Sequence, residues 1–152
     1  MRKITVKNYA GDNGAELLRW FTSFADPGLL SSWKGIGGGG NCFHSTMCAS
    51  ASIIKYSEGL RTKDQRRLLN TTHLVTGRFV IPESDGGGVV DHAWIERDID
   101  GNIIVLNVSN LGDGKPLYVM SKAEYLKLNE CDHIHQSISL RAIYRPAASA
   151  PS

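Results

Sequence analysis

Three side chains have types that could do chemistry together: the thiol of Cys42, the imidazole of His92 and the amide of Asn107. Cys42 follows Gly37-Gly38-Gly39-Gly40-Asn41 and opens a stretch predicted to be a helix, with Asn41 as its cap. In the first turn of a helix the backbone N–H groups lack intrahelical partners, and the dipole favours negative charge. A thiol held there has a lowered pKa and a larger share of nucleophilic thiolate. The same N–H groups can donate to the oxyanion of a tetrahedral intermediate, and the glycines before them leave room for a substrate backbone. A free cysteine alone is more often a small buried apolar residue, so its partners decide the reading.

His92 lies in Val89-Val90-Asp91-His92-Ala93-Trp94-Ile95-Glu96, and Asn107 in Ile103-Ile104-Val105-Leu106-Asn107-Val108. Both runs read as strands, and Asp100-Gly101 between them reads as a two-residue hairpin turn. That turn sets Trp94 opposite Asn107 and His92 opposite Ser109, which makes His92 and Asn107 diagonal neighbours on one face, and a two-residue shift of register would set them directly opposite. An amide beside an imidazole can orient the ring while its other nitrogen faces a thiolate. An Asn inside so apolar a strand also asks for a hydrogen-bond partner. Ser109 and Asn110 compete with Asn107 for the orienting role.

These residues resemble the core of papain-like and transglutaminase-like proteins. The features that carry the resemblance are a Cys at a helix start, a strand reading Asp91-His92-Ala93-Trp94-Ile95-Glu96, then Asp100-Gly101 and a strand ending in Asn107-Val108-Ser109. The resemblance covers residues 37–110 and implies Cys42 as nucleophile, His92 as general base and acid, and Asn107 as the orienting residue. Transglutaminase-like proteins carry an Asp where Asn107 stands, and papain-like ones often an Asn. Papain-like proteins also place a Gln oxyanion donor shortly before the Cys, and none precedes Cys42. Gly40, Asn41, Trp33 and backbone N–H groups are the candidates for oxyanion and substrate binding, with Trp94 placed to shield the thiolate–imidazolium pair.

The implied activity is a thiol hydrolase, a cysteine protease or amidase acting on a protein or peptide through a thioester. The alternatives are a glutamine deamidase or transglutaminase acting as a toxin or effector, and a non-catalytic binding module on the same fold. No cofactor is implied. The expected architecture is α+β, with a central helix near the N-terminus packed on an antiparallel β-sheet.

The elements that must position these residues follow from periodicity. Residues 3–8 alternate weakly as an edge strand, and Leu17, Leu18, Phe21 and Phe24 share one face of a helix that stops before Pro27. Residues 42–56 are the central helix, expected to be largely buried, and 62–69 a charged surface helix. Strands are expected over 73–81, 89–99 and 102–111, then a short helix capped by Ser121 with Glu124 three residues on, then a strand over 133–144. Residues 1–145 form one domain, and 146–152 a disordered tail.

Composition narrows the classes further. The chain has 152 residues and a formal charge of +2, and its 17 basic residues form no dense run, so nucleic acid is not an expected partner. No run is long and apolar enough for a membrane span or a signal peptide. The expectation is a protein synthesised in the cytosol; secretion or delivery by a leaderless route would leave no mark in these residues. Three cysteines at unequal spacings argue against a disulfide framework. Cys131, His133 and His135 alternate and would share one strand face, yet a fourth zinc ligand is missing and a solvated face is the expected reading. The glycine run lacks the Gly-Lys-Ser/Thr ending of a phosphate loop.

Overall fold

The computed structural model describes residues 6–24, 42–108 and 117–144. Trp33, Gly40, Asn41, Ser109, Asn110 and the expected tail lie outside the described residues, as do the side chains of Cys42 and His44. The fold is α+β, with a six-stranded sheet in the order β1-β5-β4-β3-β2-β6. The strands are β1 (Val6–Asn8), β2 (Thr72–Val80), β3 (Val89–Ile99), β4 (Asn102–Asn107), β5 (Leu117–Ser121) and β6 (Cys131–Ser139). Five α-helices are described: α1 (Gly11–Phe24), α2 (Cys42–Ser57), α3 (Thr62–Thr71), α4 (Lys122–Leu128) and α5 (Leu140–Ile143).

The expected purely antiparallel sheet is corrected to a mixed one. β1 pairs with β5 in parallel, Val6 beside Leu117, while every other pairing is antiparallel. Strands so far apart in the chain pair through tertiary packing, which no local signal encodes. The end of the chain also differs from expectation: β6 stops at Ser139, whose hydroxyl accepts the N–H of Ala142 and caps α5. The hydroxyl replaces an orphan helix partner and turns the chain out of the sheet.

Alternation along β3 divides the core in two. Ile95 and Ile99 meet Leu17 of α1, Ala49 and Ile53 of α2, Leu68 and Leu69 of α3 and Leu140 of α5 on one face, hereafter the helical face. Trp94 packs with Val75, Phe79, Val105, Met120 and, from α4, Tyr125 on the other. α2 buries its small side chains, Ser45, Thr46, Ala49 and Ser50, together with Ile53, whereas Phe43 and Met47 are exposed. The helix expected to be largely buried thus buries one stripe. Small side chains on that stripe let the helix backbone approach the sheet closely, and Phe43 and Met47 fall on the opposite face.

The β3–β4 hairpin follows the expected register, with Ile99 opposite Asn102 and Ile95 opposite Leu106. Asp100 and Gly101 at the turn have φ of 52° and 89°, the two left-handed positions of a type I′ connection. Asp98 Oδ1 accepts the Gly101 N–H at 2.8 Å and closes the turn.

Candidate active site

Continuing the ladder by one pair beyond Ile95–Leu106 sets Trp94 opposite Asn107, with His92 two residues further along the same face. The side chains of His92 and Asn107 are hydrogen-bonded to each other. Burial pushes the His92 imidazole down from 6.5 to about 4, and the Asn107 bond works against that shift. The ring is therefore neutral at ordinary pH, and the amide fixes its orientation.

Aromatic side chains pack around that pair. His92 lies 5.1 Å from Phe79 and 6.0 Å from Trp94 between ring centroids, and Trp94 in turn lies 5.3 Å from Phe79 and 5.4 Å from Tyr125. Trp94 is fully buried, so it forms a wall rather than a surface offered to a substrate. Its indole Nε1 donates to Glu96 Oε1 at 3.0 Å, and Lys122 Nζ stands 3.2 Å from both Glu96 oxygens. Sequence reasoning did not single out Glu96 or Lys122. The available signal was an acid two residues after Trp94, on the same face of the strand.

Cys42 is the first residue of α2, and no acidic residue in the first turn of that helix offsets the positive end of its dipole. One turn on, the Thr46 hydroxyl donates to the Ala93 carbonyl at 3.3 Å. A two-residue turn makes Ile99–Asn102 a hydrogen-bonded pair, so by alternation the Ala93 carbonyl points to the side of β4. The ladder with β4 has ended there, and the Thr46 hydroxyl takes a place that a strand N–H would otherwise fill. The start of α2 therefore sits at the split between β3, which carries His92, and β4, which carries Asn107. The imidazole and the amide project from the face opposite the one on which α2 packs, so the described side chains bring His92 and Asn107 together while that of Cys42 lies outside them. Position 42 lies one helical turn upstream of Ser45 and Thr46, both of which are buried.

Cys131, His133 and His135 do not share one face. β6 carries irregularities opposite Thr76/Gly77 and Arg78/Phe79, so Cys131 pairs with Phe79 and packs in the Trp94 cluster. His133 pairs with Arg78, and His135 Nε2 lies 3.0 Å from Asp91 Oδ1 on the helical face of the sheet. The extra residue between Cys131 and His133 reverses the alternation there, while the His133 and His135 rings stay together, 4.9 Å apart. Among the described residues no group of three or more His, Cys, Asp or Glu side chains is arranged to hold a metal ion. An open groove of about 560 Å³, lined by Asn13, Gly101, Ile103 and Lys122 among others, lies at the opposite end of β3 from His92.

Among the described residues no helix is long and apolar enough to cross a membrane. Comparison of the chain with protein-family models, with curated proteins and with solved structures finds no match.

Proposed function

We propose that this chain is a thiol hydrolase of papain-like or transglutaminase-like type, a cysteine protease or amidase that cleaves an amide bond through a thioester on Cys42. The observation that carries the reading is the hydrogen bond between His92 and Asn107 on adjacent strands. The anchoring of α2 by Thr46 at the split between those strands supports it.

In the proposed reaction the Cys42 thiol gives its proton to the neutral His92 imidazole, and the thiolate adds to the amide carbonyl. The tetrahedral oxyanion receives hydrogen bonds from N–H groups at the start of α2. The C–N bond breaks as the His92 imidazolium protonates the leaving amine, leaving an acyl thioester on Cys42. Water, deprotonated by His92, then attacks the thioester and restores the thiol. Asn107 keeps the ring aimed throughout.

The test is iodoacetamide labelling of Cys42 across pH, in the wild type and in His92→Ala. Labelling near pH 6 that is faster than a free thiol's and that drops on loss of His92 is the expected result. Equal rates in the two proteins, both matching a free thiol, would refute the activated pair. A thiol-directed activity probe, with Cys42→Ala as control, followed by mass spectrometry of a protein substrate mixture, then identifies the bond. Peptide cleavage marks the hydrolase; ammonia release without chain cleavage marks the deamidase or transglutaminase alternative.

A further inference from the structure

The described structure holds one buried carboxylate on the His92 face that the proposed reaction does not use. Glu96 is 5% exposed and sits in β3 four residues beyond His92, on the same side of the strand. Its Oε1 accepts the indole N–H of Trp94, and Lys122 from the start of α4 bridges both carboxylate oxygens. His73 on β2 stands opposite Glu96 in the strand register. Trp94 links this ion pair to the imidazole, because its ring lies stacked at 26° to His92 on one side and at 22° to Phe79 on another.

A buried indole has one polar atom, and its N–H must find an acceptor or stay unpaired. Glu96 is that acceptor, so the carboxylate selects the rotamer in which the ring plane faces His92 rather than turning across the strand. Gly77 contributes the space: a Cβ there would lie 2.7 Å from Trp94 Cη2, so β2 leaves open the strip the indole occupies. Lys122 Nζ, 3.2 Å from both carboxylate oxygens, sets an opposite charge beside this buried side chain.

We infer that Glu96 is a positioning residue: through the Trp94 indole it holds in place the aromatic wall that keeps water from the His92–Asn107 hydrogen bond. This role rests on His92 being the base of the proposed thiol chemistry for its functional meaning, while the wall itself is read directly from the contacts above. Glu96 and Lys122 themselves touch no reacting atom in this account.

The test titrates the His92 ring by NMR in the wild type, Glu96→Leu and Glu96→Gln. In the wild type the ring is expected to titrate near 4. Glu96→Leu frees the indole and admits water, so His92 is expected to titrate about one pH unit or more higher. Glu96→Gln keeps an oxygen for the indole and is expected to restore the low value. A folded Glu96→Leu protein with lowered thermal stability and an unmoved His92 titration would overturn the positioning role, since a purely structural residue gives that pattern. If Glu96→Leu does not fold, Trp94→Phe, which removes the tethered N–H and keeps an aromatic ring, is expected to give the same upward shift, and an unchanged value overturns the role equally. Labelling of Cys42 in the same proteins separates this from the parent reading. A thiol indifferent to His92 refutes the catalytic pair and leaves the titration result standing.

Discussion

The imidazole of His92 is hydrogen-bonded to the side-chain amide of Asn107 across the two strands of one hairpin. The bond favours the charged ring while burial disfavours it, and burial dominates. Asn107→Ala removes the side-chain hydrogen bond that orients the ring and is expected to slow the proposed Cys42 chemistry by about 10²-fold or more, the range of a misaligned general base. Asn107→Asp places a carboxylate beside the ring and is expected to raise the His92 titration well above about 4. Iodoacetamide rates across pH measure the first effect and ring titration by NMR the second.

Stability should depend on pH through the same ring. His92 takes up a proton near 6.5 when the chain is unfolded and only near 4 when it is folded. Between those values the unfolded state binds more protons, so stability rises with pH across that window. The contribution is complete above about pH 6.5, falls as pH drops toward 4, and amounts to something on the order of 3 kcal/mol. Urea unfolding at pH 4.5 and pH 7, compared with His92→Gln, measures it; the variant should lose most of the difference.

Thr46→Val tests the junction of helix and split. Valine has the shape of threonine without the hydroxyl, so the Ala93 carbonyl loses its donor in a fully buried position. The expected cost is about 1–3 kcal/mol, read by denaturant unfolding. Labelling of Cys42 should slow as well, because the start of α2 loses its tie to β3.

Gly77→Ala tests the space under the indole. The added methyl group would meet Trp94 Cη2 at 2.7 Å and the backbone oxygen of His133 at 3.0 Å, and the second of these belongs to a paired strand that yields little. A destabilisation of about 1–3 kcal/mol is expected. Altered tryptophan fluorescence should accompany it, since Trp94 must move.

How much of this was legible in the sequence varied with how local the determining interactions were. The hairpin register was readable because Asp100-Gly101 permits one tight turn, and a two-residue turn leaves the strands no freedom to slip. The neighbourhood of His92 and Asn107 follows from that register alone. Ser121 with Glu124 three residues on marked the start of α4, where the Ser121 hydroxyl accepts the Glu124 N–H at 3.3 Å. β5 was not foreseen, because Leu117–Ser121 is short and finds its place only between β1 and β4. The bulges in β6 depend on its partner strand, so alternation misassigned Cys131. In α2 the small side chains were readable as permitting close packing, and Ala49, Ser50 and Ser52 are buried while Phe43 and Met47 stay exposed. Glu96 was passed over because an acid reads as solvent-facing until its partners, Trp94 and Lys122, are seen.

The bulges of β6 also bear on how the molecule behaves in a crowd of its own copies. β6 forms one border of the sheet, where a regular strand would present an evenly spaced row of backbone donors and acceptors to any extended chain that drifts past. Two irregularities within nine residues break that spacing, and His133 and His135 add polar, titratable side chains along the same stretch. A border so interrupted is a poor template for fibrous growth.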